Sequence, residues 1–405
     1  MNRATAPDAS EKARKTSALR FVLMIGAVSF FADMTYEGSR SITGPFLAAL
    51  GASATAVGIV AGLGELLGYS LRLVSGRLSD RTGQYWPITI VGYVVQMLSV
   101  PALALARQWE IAAVLIVLER IGKAIRNPPR DVMLAHATKE IGRGWGFGVH
   151  EALDQFGALV GPLLAAGVLY LRGDYRAAFA MLLLPALLTL GLLVVARLLY
   201  PKPEDLHPRR PADNQGSLPR SFWIYLAGAA LVAAGYADFS LIAYHFEKAR
   251  SIPNTWVPIF YAVAMGVSGV GSLVLGRLFD RIGIKVLAPL TLAASVAAPL
   301  VFWGGFPAAL VGIALWGLGM GVHESIMAAA VAEMVPANRL ATAYGIFTTG
   351  YGVSWFVGSA ALGFLYDRSI PALVAFSILV ELSAIPFFIA LRSPRVTPPR
   401  IEAGS

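Results

Sequence analysis

The 405-residue chain contains no cysteine. Structural disulfides are thereby excluded, and thiolate metal sites with them. Only five histidines occur. His323 with Met327, and His150 with Asp154, each set two donors four residues apart on one helix face, but so few imidazoles and no thiol predict no metal site. Charge is scarce as well. Asp, Glu, Lys and Arg make up 14% of the chain, where a soluble protein carries roughly a quarter. The deficit makes lipid, and not water, the main solvent. There is no phosphate-cradling glycine loop, no Asp-rich metal motif and no nucleophile elbow, and the polar segments are too short for a catalytic domain. An enzyme is not expected, and no cofactor is called for. A cleavable signal peptide is also not expected, because the first 20 residues are polar and basic and the apolar run after them is long and contains charges.

Apolar residues are abundant, at 56% of the chain, and mean hydropathy is +0.64. A helix needs about 20 residues to cross the hydrocarbon. Apolar segments of that size run at 19–49, 54–78, 86–106, 110–137, 144–171, 175–199, 221–246, 255–278, 284–304, 307–335, 340–366 and 371–392. This predicts an all-α integral membrane protein of twelve transmembrane helices. The polar, Pro-rich stretch 200–220 reads as a cytoplasmic linker between six-helix bundles at 19–199 and 221–392, with tails at 1–18 and 393–405. Net charge is +9. With both termini on the cytoplasmic side, about 20 Lys and Arg fall on that side and about 6 on the other, which is the positive-inside bias. Basic charge is thus accounted for without nucleic acid. The expected partners are the lipid bilayer, protons and a small-molecule substrate, for a monomer in a bacterial inner membrane. Trp86, Trp109 and Trp223 lie near predicted helix ends and read as interfacial anchors.

The two halves repeat one another. Gly76-Arg77-Leu78-Ser79-Asp80-Arg81-Thr82-Gly83 recurs 200 residues later as Gly276-Arg277-Leu278-Phe279-Asp280-Arg281-Ile282-Gly283. Phe31-Ala32-Asp33 is echoed by Tyr236-Ala237-Asp238, and Gly167-Val168-Leu169-Tyr170 by Gly363-Phe364-Leu365-Tyr366. An internal repeat in an all-helical membrane chain marks an alternating-access transporter, with its site between the halves near the midplane.

The octet resembles the loop signature of the major facilitator superfamily, G-x-L-x-D-R-x-G followed by basic residues, although Gln84 and Tyr85 stand where the basic pair belongs. Glycine at 76 and 276 would permit a close helix approach, and Asp80 and Arg81, like Asp280 and Arg281, would form a breakable latch closed by Gly83 and Gly283. Gly148, Gly157 and Gly161-Pro162 are similar to the helix 5 motif of that family's drug/proton antiporters, with Ala165-Ala166 replacing its final Gly pair. The resemblance implies two pseudo-symmetric six-helix bundles, with helices 1, 4, 7 and 10 lining a central cavity. In helix 4, Gly122 and Ala124 depart from the family's Arg-x-x-x-Gly pattern after Arg120, and Pro128-Pro129 predict a break in that helix.

Ionisable residues inside a bilayer are costly and are therefore functional candidates. Asp33, Glu37 and Arg40 fall within an arc of about 60° on one face of helix 1, bordered by Tyr36. Glu65 and Arg72 share a face of helix 2. Asp154 stands in helix 5, Asp238 in helix 7, and His323 and Glu324 in helix 10. Met320, Met327 and Met334 form a stripe read as packing. Asp33 or Glu37, set against Arg40 or Arg120, is the candidate proton carrier; the alternative is a set of static ion pairs. Three functions follow: proton-coupled efflux of a small lipophilic compound or metabolite, import of an organic anion supported by Arg40, Arg72, Arg120, Lys123 and Arg126, or a non-transporting membrane sensor or assembly partner.

Overall fold

The computed structural model describes residues 9–201, 217–336 and 339–391; most of the 200–220 linker and the tails 1–8 and 392–405 lie outside them. Within helices, the side chains of Asp280, His323, Glu324 and Met327 are also outside the described set. Among the described residues the secondary structure is helical, without strands. It comprises α1 (Ala9–Ala49), α2 (Ala54–Thr82), α3 (Tyr85–Ala102), α4 (Trp109–Ile141), α5 (Arg143–Arg172), α6 (Tyr175–Met181), α7 (Leu183–Leu199), α8 (Arg220–Gly235), α9 (Phe239–Ala249), α10 (Val257–Ile282), α11 (Leu287–Ser295), α12 (Ala297–Phe302), α13 (Phe306–Met334), α14 (Leu340–Arg368) and α15 (Ile370–Ala390). Helical angles at Leu182 and Val296 carry α6 into α7 and α11 into α12. Nine helical stretches among the described residues are long and apolar enough to cross a membrane. Large side chains such as Leu105, Leu171, Leu198 and Ile389 stand two-thirds or more exposed, a surface suited to lipid and not to water.

Two elements differ from the sequence reading. The seventh segment is not one helix. Gly235 ends α8, Tyr236 and Asp238 are extended, and Asp238 caps α9 by accepting the Ser240 N–H at 2.9 Å. Glycine is a poor helix former and Asp a good N-cap, which places the interruption here. The freed Ala237 carbonyl accepts the Trp316 indole N–H at 2.8 Å. Conversely, α4 runs unbroken through Pro128 and Pro129. Pro128 has no N–H for the Ala124 carbonyl four residues back, and the Ser75 hydroxyl of α2 donates to that oxygen instead, at 2.9 Å.

The halves are joined by hydrogen bonds and close backbone packing at one end. There, Asp367 of α14 accepts the N–H groups of Ala54 (3.1 Å) and Thr55 (2.8 Å) and the Thr55 hydroxyl (2.6 Å), capping α2 of the other half. Tyr244 donates to the Ala52 carbonyl at 3.1 Å, and Tyr175 to Glu247 at 2.5 Å. A Cβ at Gly58 or Gly363 would collide with the backbone of Ser359 or Ala54, so α2 and α14 cross in near-backbone contact. One hydrophobic cluster joins Ile42, Phe46 and Val57 to Phe239, Ile242 and Leu362 across this seam.

Toward the other end, that of the linker and of both repeated octets, α2 still meets α14 at Leu73 and Gly345. Gly83 and Gly283 adopt φ of 66° and 64°, conformations that glycine takes without steric cost. The expected close approach at Gly76 and Gly276 is absent. A Cβ at Gly276 would meet nothing within 4 Å, and one at Gly76 only the Pro128 Cβ at 3.5 Å. Asp80 accepts only the Tyr85 hydroxyl, at 3.4 Å, and among the described residues neither Asp80 nor Arg81 makes an ion pair. The first octet is thus not engaged as a latch in this conformation.

Candidate functional site

Between the halves lies a cavity of about 560 Å³. Its walls come from α1, α2, α4 and α5 on one side and α10, α13 and α14 on the other. Among the described lining residues, every charged side chain belongs to the first half, and the second half offers methionine, aromatics and Thr348. Exposure grades along it. Asp131 is 49% exposed toward the open end, whereas Arg40, against the closed end, is 9% exposed.

The deep end is an ion-pair network. Glu65 receives Arg40 at 3.2 Å and Arg120 at 3.0 Å. Arg120 also lies 3.6 Å from Glu119 and hydrogen-bonds the Tyr36 hydroxyl. Gln96 joins Glu119 (3.0 Å) to Arg126 (2.5 Å), and Arg126 completes the set on Tyr93 at 2.9 Å and Asp33 at 3.3 Å. Burying this many charges is tolerable only because each gains opposite charge and hydrogen bonds. Asp33 therefore sits against Arg126, and not against Arg40 or Arg120. The reason is axial position: Arg126 lies farther toward the open end of α4, level with Asp33, while Arg120 is level with Tyr36.

Glu37 bridges the halves by accepting the Tyr261 hydroxyl at 2.5 Å. Asp238 is not on the cavity wall. It is 1% exposed behind Arg40, with its second carboxylate oxygen 3.7 Å from that guanidinium. Toward the open end, His150 shares Ser29 (3.0 Å) with Arg130 (3.1 Å) and lies 3.7 Å from Asp154. His323 and Glu324 belong to α13, but their side chains are outside the described residues. Met320 faces the cavity in addition to packing.

The helix 5 motif divides. A Cβ at Gly157 or Gly161 would strike the carbonyl oxygens of Phe30 or Met34, so both serve close packing of α5 on α1, whereas Gly148 faces open space. Trp86 is no interfacial anchor: it is 3% exposed, packs on Phe21 and donates to the Tyr200 carbonyl at 3.0 Å. One carboxyl escaped the sequence reading altogether. Glu381 of α15 is 2% exposed, accepts the Ser377 hydroxyl at 3.3 Å and leaves its second oxygen unbonded, against the end of α8. The signal was available, since no other ionisable residue occurs between 371 and 391.

The model of the family described as Major Facilitator Superfamily matches residues 23–359 and 267–404. An uncharacterized protein of Mycobacterium tuberculosis is 40% identical over 389 residues, 94% of this chain and 95% of that protein. An uncharacterized MFS-type transporter of Methanocaldococcus jannaschii is 24% identical over 364 residues, 86% of this chain and 89% of its own. Among solved structures, the nucleoside transporter NupG superposes with a TM-score of 0.73 at 13% identity, over 91% of this chain and 100% of that one. That last likeness concerns the fold alone.

Proposed function

The chain belongs to the Major Facilitator Superfamily, and from that premise we propose that it exports a small, partly lipophilic compound in exchange for protons, by alternating access. It is a multi-pass membrane protein of a transporter family. In the proposed arrangement twelve spans cross the membrane, with both termini and the linker in the cytoplasm and the protein in the inner membrane of a bacterium. The observation that carries the reading is the charged cavity between the halves, sealed at one end by Asp367, Tyr244 and Tyr175 and open at the other. In that orientation the conformation is inward-facing, and the octets are latches for the opposite state.

Coupling is assigned to the network itself. Asp33 and Arg126 hold one another while the cavity is open; protonating Asp33 would remove the attraction and leave Arg126 on Tyr93 and Gln96. Glu37 is the second candidate, because its Tyr261 bond crosses the seam and must break when the halves rock. The direction is supported by the helix 5 motif, half of which seats α5 on α1 beside Asp33. The test is proton flux in everted vesicles with an acidic interior, challenged with a compound panel. Proton release on adding a compound, seen with wild type and lost with folded Asp33→Asn, supports antiport through Asp33. Silence across the panel refutes export, and an unchanged pH dependence in Asp33→Asn removes that residue from the proton path.

A further inference from the structure

Two cations on the cavity wall have no carboxylate within 4 Å among the described residues. Lys123 rests its ammonium 3.6 Å from the centre of the Tyr36 ring, and the Arg72 guanidinium lies 5.5 Å from that of Tyr69. Neither makes an ion pair among the described residues, whereas Arg40, Arg120, Arg126 and Arg130 each hold an acid within 4 Å. The carboxylates without a Lys or Arg partner are placed differently. Glu37 is engaged by Tyr261, Asp154 faces His150, and Glu151 is exposed toward the open end with a bond from Gln155. Among the described residues, Lys123 and Arg72 are thus the cavity cations that no carboxylate holds within 4 Å.

The wall opposite is apolar and aromatic. Tyr69, beside Arg72, meets the Tyr351 ring edge-on at 5.7 Å. Tyr351 stacks on Phe347 at 5.9 Å and touches Trp355 at 5.7 Å, and Met265 and Met320 complete the surface. Arg72 is thus one ring away from a continuous aromatic ribbon. Lys123 is half-buried and Arg72 exposed; a cation over a ring face gains only about 0.5–1 kcal/mol at exposed sites and more when desolvated, whereas a carboxylate offers an ammonium or guanidinium a charge-assisted hydrogen bond roughly twice as strong as a neutral one.

We propose that the cargo is an amphipathic organic anion: one carboxylate, received by Lys123 and Arg72, on an aromatic or apolar body that lies against Phe347, Tyr351 and Trp355. The assignment rests on the transporter reading and narrows its substrate class, while leaving the direction of transport to the vesicle experiment. A volume of about 560 Å³ falls in the usual range of small-molecule pockets, about 300–1,000 Å³. A neutral lipophile or a lipophilic cation would give neither Lys123 nor Arg72 a charge-assisted hydrogen bond.

The test is equilibrium binding to the purified full-length protein in lipid nanodiscs, with no gradient imposed. Four probes vary one feature at a time: indole-3-acetate, its neutral amide indole-3-acetamide, the cation tryptamine, and acetate without the ring. Indole-3-acetate is expected to bind at least tenfold more tightly than the amide and more tightly than both other probes. Lys123→Gln should reduce the preference over the amide to less than threefold, and Phe347→Ala should weaken acid and amide alike. Equal binding of acid and amide, tighter binding of tryptamine, or no binding of any probe overturns the proposal, and these three readings use only the wild type. Because no proton flux is measured, failure of antiport leaves this result standing, and failure here leaves the transporter reading intact.

Discussion

Removing the Asp367 carboxylate should unseal the closed end. In this conformation Asp367 caps α2 through two backbone N–H groups and one hydroxyl, all within 3.1 Å. Losing an N-cap acceptor costs about 0.5–2 kcal/mol, and losing a negative charge at a helix N-terminus about 0.3–1 kcal/mol. Part of this contact is exposed, where solvent screens such charges, so about 1–2 kcal/mol is the reasonable sum. The cap spans the two halves, so it exists only while this end is shut, and the whole loss falls on that state. A shift of this size multiplies the fraction open at this end by about 5–30. The protein has no cysteine, so spin labels at Glu110→Cys and Trp303→Cys, both exposed positions on opposite halves near this end, report the gap without background. Asp367→Ala should enlarge the long-distance population in pulsed dipolar spectra by that factor. An unchanged distribution from a folded variant would refute the reasoning and place the seal in the other contacts of this end.

Three further outcomes follow from contacts already described. Ser75→Ala should lower stability by about 1–3 kcal/mol, because it orphans the Ala124 carbonyl; Pro128→Ala in the same protein should restore most of it by returning an N–H, and simple additivity of the two losses in a double-mutant cycle would contradict this account. Glu65→Gln, which leaves Arg40 and Arg120 without their shared charge, should cost about 3–5 kcal/mol; a Tm in detergent equal to wild type would show that neighbouring acids take its place. Gly161→Val, forced against the Met34 carbonyl, should cost at least about 1–3 kcal/mol, while Gly148→Ala stays within about 0.5 kcal/mol, both read by thermal unfolding; equal effects would mean that the motif does not divide as described.

Much was legible in the chain itself because it follows from local chemistry. Apolar length predicted an all-helical membrane chain, and intramembrane charge marked nine candidates, of which Asp33, Glu37, Arg40, Glu65, Arg120 and Asp154 line the cavity, Asp238 does not, and the side chains of His323 and Glu324 lie outside the described residues. Helical periodicity puts residues on a face, and a charge that lipid cannot tolerate must turn inward; both arguments need only sequence. Pairing was not legible in the same way. That Asp33 meets Arg126, that Arg40 and Arg120 share Glu65, and that Ser75 replaces the N–H missing at Pro128 depend on the relative height and rotation of helices distant in the chain. Asp238 shows the limit most plainly: its residue type marked it as functional, but only the interruption of α8 and α9 turned it away from the cavity wall to cap a helix behind Arg40. Sequence fixes which side chains must avoid lipid; the packing of helices, set by backbone approach at small residues and by hydrogen bonds across them, decides which partner each one finds.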